Sequence, residues 1–275
     1  MNRSPRTRKK KMLYLFFILI ISIIVGITVF LQHPLFGKLS SGERLKKVES
    51  KKNYADGKFH NLTETPDLSE GVTYLDIFKD MLFNKAAHTI PESLILTDKT
   101  DLKKQEITKN YMVWFGHSSY FLQIDGIKYL IDPVLSENAS PIYGTNTAFK
   151  GTTNYTVEDM PEIDYLVITH DHYDHLDYAT IKALKNKVKQ IICPLGVGEH
   201  FEFWEYESGK IIERDWFESV NLNNETQITF TPTRHFSGRS LKRNQSLWTS
   251  YVLKTKSFNL FLGGDSGYDT HFKEI

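Results

Sequence analysis

The sequence contains very little cysteine: Cys193 is the single one among 275 residues. One cysteine excludes a disulfide framework within the chain and a zinc knuckle built from cysteine pairs. Internal repeats and low-complexity tracts are also missing. Hydrophobic residues make up 40% of the chain and charged residues 24%, as is typical of globular proteins. Length and composition therefore allow a sizeable core, in one large domain or two small ones.

Residues 12–31 lack charge altogether. As a helix, a run of this length rises about 30 Å, the thickness of the hydrocarbon core of a bilayer. A signal peptide usually has a shorter apolar core and a cleavage site of small residues, and no such site follows this run. We therefore expect an uncleaved transmembrane anchor, with a cleaved signal as the alternative.

The first eleven residues contain no acid but six bases: Arg3, Arg6, Arg8, Lys9, Lys10 and Lys11. The positive-inside rule then predicts a cytoplasmic tail over 1–11, an anchor over 12–31 in the cell membrane, and an extracytoplasmic remainder. Residues 12–275 contain the other 28 of the 34 basic residues and all 33 acidic residues, which gives them a net charge of −5. An acidic ectodomain is a poor binder of phosphate backbones, so we expect a membrane partner and no nucleic acid.

The rest of the chain divides near residue 109. Residues 32–108 are predicted to form a connecting and N-terminal wrapping region, with one amphipathic helix over 71–83. From 109 onward, apolar strands alternate with a few helical patterns, which predicts an α/β layered sandwich over 109–275. Within it we expect an Asp-Gly hairpin turn over 124–127, a helix over 178–188, and strands over 163–170, 189–195, 227–233, 246–255 and 258–265.

The stretch ITHDHYDHLD, residues 168–177, follows one of these buried strands. His170 and His172 are two apart, so both imidazoles point the same way in an extended segment. Asp174 and His175 come at the start of the next helix. Imidazole nitrogens and carboxylate oxygens together suit zinc, iron or manganese. So many ionisable groups cannot be buried unpaired, which leaves a metal site or a solvated polar loop.

The pattern His170-x-His172-x-Asp174-His175 after an apolar strand resembles the signature of the metallo-β-lactamase superfamily. Further matches come in the same order: His235 in TPTRHFSGR and Asp265 in LFLGGDSGY. The stretches WFGHSSYFLQIDG (114–126) and LIDPVLS (130–136) resemble one branch, which holds N-acylphosphatidylethanolamine-hydrolysing phospholipase D and ascorbate-6-phosphate lactonases. The resemblance covers about residues 109–275 and implies an αββα sandwich.

The resemblance also implies roles for the residues that match. Two Zn²⁺ ions are expected, with manganese or iron as alternatives, and a metal-bound hydroxide as the nucleophile. The implied ligands are His170, His172 and His235 for the first ion, Asp174 and His175 for the second, and Asp265 between them. Asp174 and His117 are the candidate catalytic residues; His117 is chosen because it follows a strand, and a structural hydrogen bond is the alternative role for it. Asp171 is expected to be a supporting or surface carboxylate, and four further histidines are expected to be ordinary: His33, His60, His88 and His200.

One ligand of the family pattern has no match. Members carry a further second-metal histidine well beyond the bridging aspartate, whereas this sequence ends at Ile275 and His271 comes too early. The resemblance therefore implies a C-terminally truncated member with an incomplete sandwich and a weakened second site. We expect such a chain to be poorly soluble and nearly inactive.

The sequence thus favours a membrane-anchored hydrolase of phospholipase D type that acts on N-acyl phospholipids. The expected partner is a membrane lipid or a small ester or phosphodiester. The alternatives are a lactonase or other small-ester metallohydrolase, and an inactive anchored domain. Metal stoichiometry separates enzyme from remnant, since two ions per chain favour an enzyme.

Overall fold

A computed structural model describes residues 5–84 and 86–275, so the predicted tail over 1–11 lies partly outside the described residues. The first helix, α1, is Pro5–Leu31. Its part Lys9–Leu31 has the length and the mean hydropathy, 2.9, of a membrane span, and none of its most apolar window is buried against the protein. Because nothing covers these apolar side chains, the helix remains a candidate anchor.

The other helices and the strands follow in chain order. The helices are α2 (Gly42–Glu49), α3 (Tyr74–Phe83), α4 (Tyr178–Leu184) and α5 (Gly198–Phe203). The strands are β1 (Tyr54–Ala55), β2 (Lys58–Phe59), β3 (Tyr111–Gly116), β4 (Ser119–Ile124), β5 (Ile127–Ile131), β6 (Ile163–Val167), β7 (Val188–Pro194), β8 (Ile211–Arg214), β9 (Ser219–Asn221), β10 (Gln227–Thr231), β11 (Ser250–Lys254) and β12 (Asn259–Leu262).

Two sheets dominate the fold. The larger has the order β3-β4-β5-β6-β7-β8; β3, β4 and β5 pair antiparallel, and β5 through β8 pair parallel. The smaller has the order β12-β11-β10-β9 and is antiparallel throughout. The predicted Asp-Gly turn joins β4 to β5, with φ of 51° at Asp125 and 80° at Gly126. Positive φ at both central residues is what a tight two-residue hairpin requires.

One part of the hydrophobic core lies between the two sheets. Tyr129 and Ile131 of β5 pack there with Phe230 of β10 and Tyr251 of β11. The opposite face of the larger sheet is also buried, under α4 and α5, where Leu130 and Leu166 meet Ile181 and Phe201. Strands covered on both faces explain the continuous apolar runs in the sequence. The predicted layered α/β sandwich is confirmed.

Residues of the predicted connecting region join this domain. Val48 of α2 and Phe59 of β2 are fully buried in a third cluster with Leu195, Trp216 and Trp248. The segment from residue 34 to residue 61 therefore packs on the sandwich. The helix predicted over 71–83 is present as α3, but none of its side chains is buried.

Several predicted elements are longer than the elements in the structure. The strand predicted over 246–255 is regular only as β11, and the helix predicted over 178–188 ends at Leu184. The helix begins where Asp177 caps it, because the Asp177 carboxylate accepts hydrogen bonds from the N–H groups of Ala179 and Thr180. The last acid of ITHDHYDHLD therefore serves the helix and not a metal.

Candidate metal centre

The histidine-rich segment lies at the carboxyl end of the parallel part of the larger sheet. Strand β6 ends at Val167, and its neighbour β5 ends at Ile131. Loops that follow parallel strands at this edge are the usual place for ligand sites in α/β folds. Residues 170–176, here called the metal loop, start there and run to the cap of α4.

A first cluster consists of His170, His172 and His235, whose ligand atoms all lie within 4.8 Å of one another. His170 Nε2 and His235 Nε2 lie 2.9 Å and 3.2 Å from His172 Nδ1. Asn61 holds the His235 backbone on both sides: it accepts from the N–H at 3.1 Å and donates to the C=O at 2.9 Å.

Burial keeps this cluster neutral. Burial and the neighbouring His175 hold the pKa of His170 well below its usual value, and burial with the neighbouring His172 lowers the pKa of His235 to about 4. Neutral imidazoles are the form that binds a cation. Three convergent neutral nitrogens fit one divalent metal ion.

A second cluster consists of His117, His175 and Asp265, again with ligand atoms within 4.8 Å. His175 Nε2 lies 3.4 Å from Asp265 Oδ1, and His235 Nε2 lies 3.7 Å from Asp265 Oδ2. The two oxygens of Asp265 thus face one cluster each, as a bridging ligand requires. Asp174 sits beside this cluster, with its Oδ2 at 3.3 Å from His117 Nε2.

The second cluster also fits a metal ion. His175 Nε2 is buried and makes no well-aligned hydrogen bond with the described residues, although Asp265 Oδ1 lies 3.4 Å away. A buried polar atom without a partner is costly, so it points to a missing ligand. Although burial alone would lower it, the carboxylates of Asp132 and Asp265 raise the pKa of His175 to about 10. The site therefore attracts positive charge.

Asp132 is the functional residue that the sequence analysis missed. It is fully buried, and its carboxylate accepts hydrogen bonds from Thr169 N at 2.8 Å, Thr169 Oγ1 at 2.6 Å and His175 Nδ1 at 2.8 Å. With Nδ1–H donating to Asp132, the Nε2 lone pair of His175 faces the cluster. The available signal was its position directly after a buried strand, like that of the metal loop.

His117 enters the site from the turn between β3 and β4. Its φ is 46°, in the left-handed region, and its C=O accepts a hydrogen bond from Trp114 Nε1 at 2.8 Å. Its side chain is 53% exposed, so it borders the open side of the centre. The sequence predicted that it lines the site, and the structure brings one of its ring nitrogens within 4.8 Å of the ligand atoms of His175 and Asp265.

Of the two roles expected for Asp171, the contacts favour the supporting one over the surface one, since Asp171 is buried and accepts from Gly238 N and Ser246 Oγ, both at 2.7 Å. One expectation needs correction. His200 is not an isolated histidine, because its Nε2 lies 3.3 Å from Asp171 Oδ2. His271, by contrast, contacts Ser266 Oγ at 3.2 Å and belongs to neither cluster.

Comparison with known proteins decides the family. The family described as "Beta-lactamase superfamily domain" matches residues 128–275, more than half of the chain. The chain belongs to this superfamily. Its groups of histidine and aspartate could hold metal ions.

Two sequence relatives and one solved structure show how similar this beta-lactamase superfamily chain is to known proteins. An uncharacterised protein of Mycobacterium tuberculosis is 33% identical over 228 residues, which cover 82% of this chain and 61% of that protein. The N-acyl-phosphatidylethanolamine-hydrolyzing phospholipase D 1 of Caenorhabditis elegans is 30% identical over 223 residues, which cover 73% and 61%. Igni18, a metallo hydrolase from Ignicoccus hospitalis, is 20% identical with a TM-score of 0.43, over 60% of this chain and 64% of Igni18. The chain thus spans about three fifths of these relatives.

Proposed function

We propose that this chain hydrolyses the phosphodiester bond of N-acyl phospholipids at a membrane surface. The observation that carries the proposal is the pair of adjacent clusters that share Asp265. Paired metal sites suit phosphodiesters, because two ions act on the attacking and the leaving oxygen. Supporting it are the similarity to a phospholipase D of this specificity and the candidate anchor α1.

The proposed ligands divide between the clusters. His170, His172 and His235 hold one ion; Asp174, His175 and His117 hold the other, with Asp265 between them. We include His117 because of its distance to His175 and Asp265, although the sequence predicted a catalytic or a structural role for it and no role as a ligand. When bound, divalent ions acidify a water molecule and stabilise negative charge on phosphoryl oxygens. Zinc is the proposed metal, since three imidazoles suit it.

The protein's own side chains orient the site. Asp132 fixes which nitrogen of His175 faces inward. Burial would raise the pKa of Asp174, but His117 and His175 hold it below its usual value, so this carboxylate stays ionised. Asp174 and His117 border the exposed side, from which a lipid head group would approach. Their action on the substrate itself stays a prediction.

The proposed topology follows from the sequence: a cytoplasmic N-terminus over 1–11, an anchor over 12–31 and an extracytoplasmic hydrolase domain over 109–275. A protease added to intact cells should cut the exposed stretch 62–72. Cutting only after lysis would reverse the orientation.

The activity test uses the full chain, first loaded with zinc and then inserted into phospholipid vesicles. Although the sequence alone predicted a nearly inactive chain, His117 brings a further ligand atom to the second cluster. We therefore expect release of N-acylethanolamine from N-acyl phosphatidylethanolamine, and no release by the His170→Ala, His235→Ala double variant. His60→Ala serves as the matched control, because His60 lies outside both clusters. Opening of a lactone probe without phosphodiester cleavage would favour a lactonase, and binding of zinc with neither reaction would favour an anchored binding domain.

A further inference from the structure

The metal loop is held from behind by one buried arginine. Arg239 Nη1 donates to the C=O of Asp171 at 2.9 Å and to the C=O of Leu176 at 2.7 Å. These two carbonyls flank His172, Asp174 and His175. On its other side the same guanidinium donates to the C=O of Leu35, from Nη2 at 2.7 Å and from Nε at 3.2 Å. One side chain therefore ties the metal loop to residues 34–38, here called the entry segment.

The chemistry of this link requires arginine. Arg239 is 3% exposed, and every hydrogen bond of its guanidinium to the described residues goes to a backbone C=O. Its guanidinium lies 4.4 Å from the ring of Tyr173 and 5.3 Å from the ring of Trp204. A planar fork that stacks on rings and donates to three carbonyls satisfies a buried cation; the ammonium of lysine cannot reproduce it.

A second path joins the same two segments. Lys38 N–H donates to His200 Nδ1 at 3.0 Å, so His200 Nε2 carries the proton that faces Asp171 Oδ2. Asp171 lies between the ligands His170 and His172. The approach of the entry segment is close: a Cβ on Gly37 would come within 2.1 Å of His200 Nδ1, and Gly37 has φ of 68°. Only glycine fits there without displacement.

Two residues separate the end of α1 at Leu31 from the start of the entry segment. We infer that Arg239 and the docked entry segment form one positioning unit, through which the candidate anchor holds the metal loop in its ion-binding geometry. The inference rests on the proposed function insofar as the metal loop binds ions. Its consequence is that releasing the entry segment weakens ion binding, although no residue of that segment touches the clusters.

The experiment uses the full chain in detergent micelles, with zinc as the probe. Zinc affinity is measured by competition with a chelator at pH 7, and hydrogen exchange is followed in peptides covering 34–38 and 170–176. The variants are Arg239→Lys, which removes the fork, and Gly37→Ala, which displaces the entry segment and leaves every group of the metal loop in place. Arg214→Lys is the control, because within the described part of the chain the Arg214 guanidinium donates only to the neighbouring C=O of Glu213.

We expect both variants to weaken zinc binding by about tenfold or more, as supporting residues of metal ligands commonly do. Exchange should quicken in both peptides, while Arg214→Lys matches the parent. A merely structural role would lower the melting temperature of the metal-free chain but leave zinc affinity unchanged. If Arg239→Lys does not fold, Gly37→Ala carries the test alone.

The inference is overturned if Gly37→Ala quickens exchange at 34–38 while zinc affinity and exchange at 170–176 stay at parental values. It is equally overturned if exchange at 34–38 does not change, since the close approach to His200 would then not constrain the segment. Neither readout uses a lipid. Failure of every variant and of the parent to cleave N-acyl phospholipids would overturn the proposed function and leave this result standing.

Discussion

Replacing Asp132 by asparagine should weaken the second cluster without removing any ligand. The change keeps size and shape, and asparagine tolerates the backbone at this position, where φ is 40°. What changes is hydrogen bonding: the carboxylate accepts three hydrogen bonds from Thr169 and His175. An amide NH₂ group cannot accept: at the Oδ2 position it would face both the hydroxyl of Thr169 and the Nδ1–H of His175, and at the Oδ1 position it would face the backbone N–H of Thr169.

The magnitude follows from burial. Asp132 and His175 are both fully buried and lie 2.8 Å apart. Breaking a buried charged pair on one side costs about 3–5 kcal/mol, so the metal-free variant should be destabilised by roughly that amount. Without the acceptor, His175 also loses the partner that fixes its tautomer. We expect the second ion to bind about 10- to 100-fold more weakly.

Zinc titration of the two proteins checks this, with the first and second binding events separated by competing chelators. Asp132→Asn should bind the first ion nearly as the parent does and the second ion weakly. Asp164→Asn is the control, because Asp164 lies within β6, outside both clusters, and pairs with Lys189. Equal affinity of Asp132→Asn and the parent for the second ion would refute the orienting role.

Three further outcomes are expected. The His170→Ala, His235→Ala double variant should lose the first ion by elemental analysis, and equal metal in variant and parent would show that the site is elsewhere. His117→Ala should lower zinc content from two ions towards one, whereas unchanged content would restrict His117 to a role beside the metal. Because the pKa of His175 is about 10, the second ion must displace a proton at pH 7, and its affinity should fall about tenfold per pH unit between 9 and 7. The pKa of His235 is about 4, so first-ion affinity should change little between pH 7 and 6; calorimetry in buffers of different ionisation enthalpy measures the released protons.

The sequence predicted those features that short-range patterns determine. The Asp125–Gly126 turn, the buried strand before the metal loop and the layered α/β class were all readable, because each depends on neighbours in the chain. The partner of His175 was not readable, since Asp132 is 43 positions away and only the parallel pairing of β5 and β6 brings them together. His200 was overlooked for the same reason: its role comes from Asp171, 29 positions earlier on another strand's loop.

The extent of the burial around the loop was also beyond sequence reasoning. An acid between two histidines reads equally well as a solvated side chain or as a buried acceptor. Whether Asp171 is buried depends on Ser246 and Gly238, which lie in the loop between β10 and β11 and donate hydrogen bonds to its carboxylate. The end of α4 at Leu184 illustrates the same limit, since apolar spacing alone extended that helix to residue 188.

The left-handed backbone at His117 lowers the stability of the fold at a residue that the proposed site needs. A non-glycine residue with φ of 46° costs on the order of 1 kcal/mol, and glycine or asparagine would adopt that conformation more readily. Selection for thermal stability alone should therefore replace His117. The gain in stability would come at the position that borders both Asp174 and His175. In a library screened first by heat and then by turnover, substitutions at this turn should be enriched in the first step and eliminated in the second.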